Sequence, residues 1–253
     1  MDIGISFHTY QSKIDFLKEI EMPTLHYFPI SQPSRALKWF LTNHNITLDE
    51  KIVDLMTRQN LSQEFGKLSM YQSVPILELD DGQVITESGA ILIYLALQFG
   101  PTKEYPRDDV FAQTRIVEAL LHHETLARIV TTQILRPALG KIFNPSITWE
   151  AIKGQIEKNK DDLQYSFGLL EKLFTKQEYA AGNEWTIVDY LVACELNQLP
   201  ALQPLLPEGC RIEHFPKIAA YLGRVKGIQN HDKFVEDFSK FAVIFKSAEE
   251  PKA

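Results

Sequence analysis

Residues 24–43 read TLHYFPISQPSRALKWFLTN. Thr24–Phe28 is short and rich in aromatic and β-branched residues, which predicts a strand, and Pro29 stops it because proline brings no N–H to a ladder. Pro33 follows at a position that the first turn of a helix tolerates, and Ser34–Asn43 continues with helical spacing. The turn Ser31-Gln32-Pro33-Ser34-Arg35 therefore stands at the N-terminus of a helix. Its amides and dipole favour an anion there. A serine at such a place also reads as a simple helix cap, and alone it decides nothing.

Outward from this turn the alternation continues. Lys51–Leu55 reads as a buried strand and Leu61–Leu68 as a weak helix. Pro75–Leu79 and Gln83–Thr86 flank Asp80-Asp81-Gly82, and Asp-Gly between two apolar runs is a hairpin signal. Ser88–Phe99 follows with Ile91, Leu92, Leu95 and Ala96 on one face, and Gly100-Pro101 ends it. The order is β-α-β-α-β-β-α. A helix between two strands favours parallel pairing, and the hairpin supplies antiparallel neighbours.

Beyond Asp109 the pattern is helical throughout. Ala112–Leu135 is one long periodic stretch. In Trp149–Phe174 the residues Trp149, Ile152, Ile156, Leu163, Phe167, Leu170 and Phe174 fall on one stripe, which predicts a core-facing helix. Thr186-Ile187-Val188-Asp189 has the spacing of a capping box, with Trp185 and Tyr190 at the staple positions. The expected organisation is α/β followed by all-α: an N-terminal extension at 1–21, a first domain at 22–100, a linker at 101–108, a helical domain at 109–245 and a tail at 246–253.

Composition sets limits. The chain has 253 residues, 45% hydrophobic and 23% charged, with a formal net charge of −7. That is a globular composition with no basic stripe of the kind nucleic-acid binding needs. No run approaches the ~18 apolar residues of a spanning helix. Residues 1–21 lack the layout of a secretion or transit signal, and Cys194 and Cys210 alone offer no disulfide framework. A reducing, cytoplasmic location is expected. Asn45-Ile46-Thr47 and Asn60-Leu61-Ser62 have glycosylation spacing but no secretion signal to give them access. His122 and His123 are adjacent, so they project about 100° apart on a helix and make a poor metal pair. No metal is expected.

Three motifs gain meaning from their order: Ser31-Gln32-Pro33-Ser34-Arg35, then Val74-Pro75, then Thr86-Glu87-Ser88-Gly89-Ala90-Ile91-Leu92-Ile93-Tyr94-Leu95. Together they resemble the cytosolic glutathione transferases, most closely the theta-like, serine-type class, over about Thr24 to Phe241. The resemblance implies a thioredoxin-like N-terminal domain, an all-α substrate domain, a homodimer, and glutathione as co-substrate. It implies that Ser31 donates a hydrogen bond to the glutathione sulfur. Val74 pairs its backbone with the cysteinyl part, Pro75 is a cis residue, and Glu87 and Ser88 hold the γ-glutamyl end. Gln32, Asn60 and Ser73 match further glutathione contacts, while Ile30, Arg128 and Ile129 fall on the electrophile side, with the C-terminal stretch Phe238–Phe245 nearby.

The expected reaction is addition of the thiolate to hydrophobic electrophiles, with dehalogenation and peroxide reduction as close variants. A C-x-x-C pair is absent from the turn, which argues against thiol–disulfide exchange. Two departures stand out: the class often places Lys where this chain has Ser73, and His-Lys where it has Asn60-Leu61. They keep open a transferase-like module retained for binding or assembly. Tyr27 is the rival thiol activator, because other classes use a tyrosine near the end of the first strand.

Overall fold

The computed structural model describes residues 22–99 and 103–248. Strand β1 (Thr24–Tyr27) leads through the turn into helix α1 (Gln32–Asn43), followed by β2 (Asp49–Ile52). A short 3₁₀ turn (Gln59–Leu61) and α2 (Gln63–Leu68) precede the hairpin β3 (Ile76–Glu78) and β4 (Val84–Ile85). Helix α3 (Ser88–Phe99) closes this half, with boundaries as the apolar face predicts. The sheet order is β2-β1-β3-β4. β1 runs parallel to β2 and antiparallel to β3, with Leu25 opposite Glu50 on one side and Leu77 on the other. This is the thioredoxin-like arrangement.

Strand β2 lies two residues earlier than the reading of Lys51–Leu55 as a buried strand. All four of its residues are exposed, because β2 is the edge of the sheet. Val53, whose N–H extends the ladder to Tyr27 O at 2.8 Å, turns into the core, and Leu55 packs half-buried against the same cluster.

The second half is helical: α4 (Val110–His122), α5 (Arg136–Phe143), α6 (Trp149–Glu157), α7 (Lys160–Lys176), α8 (Ile187–Leu196), α9 (Leu199–Leu202), α10 (Pro216–Val225) and α11 (His231–Lys246). The stretch expected as one long helix is instead interrupted between α4 and α5 by two wide, π-type turns, His123–Ala127 and Val130–Leu135. The stripe from Trp149 to Phe174 belongs to two helices that break at Lys158-Asn159, yet Ile152, Ile156, Leu163, Phe167, Leu170 and Phe174 are all buried. The phase of the stripe survives the break, so periodicity alone could not reveal it. Among the described residues no helix is long and apolar enough to cross a membrane. The expected extension at 1–21, the Gly100-Pro101 stop and residues 249–253 of the expected tail lie outside the described residues.

Helix α1 joins the halves. It sits between the sheet and helices α8 and α11, and it is buried from Gln32 to Leu37. Trp39 is fully buried, with ring contacts to Trp185 at 5.7 Å, Tyr190 at 5.4 Å and Phe234 at 6.2 Å. Each large apolar side chain so buried contributes about 1.5–3 kcal/mol. Polar atoms of the same helix reach across: Gln32 Nε2 donates to Leu191 O, Arg35 Nη1 to Phe234 O and Trp39 Nε1 to Gln229 O. The capping box at Thr186 and Asp189 forms, and its staple residues Trp185 and Tyr190 meet at 5.1 Å between ring centroids.

Candidate functional site

The β1–α1 turn forms one wall of a cleft of about 360 Å³. Ile30, Ser31, Gln32 and Pro33 come from the turn, Asn60, Ser73 and Val74 from the loops beside it, and Arg128, Thr131 and Leu135 from the widened helical stretch. Ser31 is the N-cap residue of α1. Its carbonyl accepts the Arg35 N–H at 2.9 Å, but its hydroxyl caps nothing. A cap serine normally turns that hydroxyl onto the helix amides; here it is left over at the cleft wall.

Tyr27 does not line the cleft. Alternation along β1 gives Phe28 to the cleft and turns Tyr27 to the other face. There burial, a hydrogen bond to Glu50 and that residue's charge push its hydroxyl above the usual tyrosine value. The Lys38 ammonium lies 5.4 Å from the ring centroid on the same side.

Several residues expected as ligand contacts also do structural work. The Gln32 amide is used at both ends, donating to Leu191 O at 2.8 Å and accepting from Arg128 Nη1 at 3.2 Å. Asn60 Nδ2 donates to Gln72 O at 2.7 Å and so braces the loop before Ser73. The Val74–Pro75 bond is cis, as the resemblance implies. Ser88 is buried at the start of α3, and Glu87 before it is exposed with φ of +66°. Few non-glycine residues occupy that left-handed region, and such outliers gather at binding sites. Neither Glu87 nor Ser88 borders the 360 Å³ space itself.

Arg128 meets the cleft and is held by Gln32 and by Glu124, whose Oε2 lies 3.4 Å from Arg128 Nε. A hydrogen bond from His123 and the charges of His123 and Arg128 hold Glu124 below its usual value against burial. Ile129 does not share the cleft. One residue further along a helix is a turn of about 100°, and Ile129 lines a separate cavity of about 480 Å³ with His122 and Gln133. His123 is buried on the opposite side, so the two histidines are apart as their adjacency predicts. Phe238 reaches the cleft, whereas Phe245 is fully buried against Trp149.

The sequence reading missed Thr131, Leu135, Arg136 and Leu139 in the cleft wall. Their spacing was visible as helical, but a stripe does not say what it faces. Arg136 matters most, because with Arg128 it places positive charge on the helical side of a site whose loop side, at Leu61 and Ser73, has none.

A thioredoxin-like sheet whose β1–α1 turn carries serine at the cleft, joined to a helical half that forms the other wall, is the two-domain architecture of a transferase class. Residues 25–103 match the family model of the glutathione S-transferase N-terminal domain, and residues 117–227 match that of the C-terminal domain. Human glutathione S-transferase theta-2 is 31% identical over 198 residues, covering 78% of each chain. Human glutathione S-transferase theta-1 is 31% identical over 229 residues, covering 88% of this chain and 89% of that one. The crystal structure of human glutathione transferase theta-2 in complex with glutathione is similar at a TM-score of 0.71 and 27% identity, over 90% of this chain and 92% of its own. The chain belongs to the glutathione S-transferase family, with theta-class relatives, and it is a glutathione transferase.

Proposed function

We propose that the cleft binds glutathione and that the Ser31 hydroxyl donates a hydrogen bond to its sulfur, holding a thiolate that attacks hydrophobic electrophiles. The observation that carries this reading is the Ser31 hydroxyl, which stands at the cleft and caps nothing. The glutathione complex of the human theta-2 enzyme supports the choice of ligand. The Val74 backbone beside Pro75 pairs with the cysteinyl part, Glu87 and Ser88 hold the γ-glutamyl end, and Asn60 and Ser73 face the glycyl end. Ile30, Arg128, Leu135 and Phe238 receive the electrophile. The boundary between the glutathione half and the electrophile half falls in residues 101–108. Calorimetric titration with glutathione, followed by a panel of alkyl halides, activated arenes and organic hydroperoxides, tests the reading. Saturable binding with no turnover of any of them would overturn the enzymatic part.

Glu87→Ala should weaken glutathione binding ten- to thirty-fold, or about 1.4–2 kcal/mol, the scale of one lost charge-assisted hydrogen bond. Calorimetry checks it, and an unchanged affinity in a folded variant removes Glu87 from the site.

Helix α4 exposes Val110, Phe111, Val117 and Leu121, a surface that a second copy of the chain covers in the homodimer we propose. Sedimentation should give about twice 29.0 kDa at micromolar concentration. A species of 29.0 kDa there counts against the dimer. Both cysteines are free and buried, which suits a reducing, cytoplasmic compartment.

A further inference from the structure

We infer that Glu195 is a positioning residue for the electrophile wall: its buried carboxylate, wedged into the wide helical turn at Thr131, fixes Thr131 and, with the same helix, Arg128 toward the cleft. The inference rests on the cleft being the reaction site as proposed above.

Glu195 lies near the end of α8, a helix in which every residue is buried, and it is itself 0% exposed. A carboxylate in such a place is costly unless it is bonded. Its Oε1 accepts the backbone N–H of Thr131 at 2.7 Å. Burial pushes the carboxyl above its usual value, while His123, the bond from Thr131 and Arg128 act in the opposite direction.

Around Thr131 the chain departs from the ordinary helical ladder. The Arg128 N–H reaches back five residues to His123 O, and the Arg136 N–H reaches back five to Thr131 O. Wide turns of this kind are rare but frequent at functional sites, and a side chain entering the ladder is a separate known cause of a break in a helix. An ordinary turn would satisfy the Thr131 N–H without any side chain. Here Glu195 supplies the acceptor. Each wide turn also changes how far the following residues rotate about the axis, so the group that holds the turn decides which side chains face the cleft.

The second wall residue is tied to the same helix. Thr131 is held at its N–H by Glu195 and at its hydroxyl by Gln198 Nε2, 3.0 Å away. Arg128 bonds Gln32, and Gln32 bonds Leu191 O, one helical turn before Glu195. Helix α8 thus fixes Thr131 and Arg128 through two attachments, one of them a carboxylate at the wide turn.

The test compares two replacements of similar length. Glu195→Met leaves the Thr131 N–H without its acceptor, and Glu195→Gln retains one. The methionine variant should lose about tenfold or more in kcat/KM for the electrophile, with the Kd for glutathione by calorimetry within about twofold of the parent. The glutamine variant should recover to within about threefold. A methionine variant with unaltered kcat/KM overturns the inference, and so does one whose glutathione affinity falls in step with turnover, since that is general loosening. Should the methionine variant fail to fold, amide hydrogen exchange at Thr131 in the glutamine variant and in Glu195→Ser decides. That exchange should stay within about twofold of the parent in the glutamine variant, whereas in Glu195→Ser, too short to reach Thr131, it should speed about fivefold or more; an unchanged rate in the serine variant overturns the wedge. If the parent protein fails to bind glutathione, the proposed function falls, while the exchange comparison still judges Glu195.

Discussion

Replacing Asp189 by alanine should destabilise the protein by about 3–5 kcal/mol, in the upper tail of single substitutions. Its carboxylate is fully buried and accepts four hydrogen bonds. Oδ1 takes the Ala180 N–H at 2.8 Å and the Tyr221 hydroxyl at 3.2 Å, and Oδ2 takes the Thr186 N–H and hydroxyl, each at 3.0 Å. Truncation strands two backbone amides in the core, each costing roughly 1–3 kcal/mol unpaired, while the two hydroxyls can turn elsewhere. Asp189→Asn should recover only part of the loss, because its NH₂ group must face donors that the carboxylate accepted.

The pH dependence has a definite sign. Burial outweighs the four donors and raises the carboxyl from 3.8 to about 6. The neutral form is therefore favoured on folding, a contribution fully present below 3.8 and lost as pH rises through about 6. The stability gap between parent and Asp189→Ala should narrow over that window. Denaturant titrations at several pH values measure both effects. A loss below about 1 kcal/mol would show that the four contacts carry no net weight.

Ser31→Ala should cut turnover at neutral pH by up to about a hundred-fold, equivalent to ~2.7 kcal/mol. A free thiol near pKa 8.5 is only a few per cent ionised at neutral pH, and lowering it by about two units needs roughly 2.7 kcal/mol. One hydroxyl-to-anion hydrogen bond supplies about 1.5–3 kcal/mol and the end of α1 about 0.3–1. The alanine variant keeps the helix end and loses the larger part. Tyr27→Phe should leave the thiol where it was, since Tyr27 faces Glu50 and its own raised pKa makes it a poorer donor. Thiolate absorbance of bound glutathione, titrated against pH in both variants, separates the two assignments. A shift in Tyr27→Phe with none in Ser31→Ala would reverse them.

How far such a site can be read from residues alone depends on the range of the forces that build it. The β1–α1 turn was legible because Pro29 and Pro33 act on their own dihedrals. The edge strand β2 was misplaced by two residues because its exposure depends on which strand lies beyond it. The wide turns between α4 and α5 were invisible, since the acceptor that takes the Thr131 N–H there, Glu195 Oε1, lies 64 residues further on. The available signal was Glu195, which with Asp189 is one of two carboxylates in the otherwise largely apolar Ile187–Leu196. Gln32 could be named as a polar residue at the right turn, but not as the bond to Leu191, 159 residues away.

Helix α1 carries a consequence for how such chains diverge. One of its ends places Ser31 at the cleft, while Gln32, Arg35 and Trp39 bond the backbones of Leu191, Phe234 and Gln229. A crossover between relatives that exchanged the helical half at the linker would set this helix against a foreign α8 and α11. The three donors would lose their acceptors unless the foreign half offered a carbonyl at each of the same places, so these bonds tie the ligand-side helix to the backbone geometry of the other half.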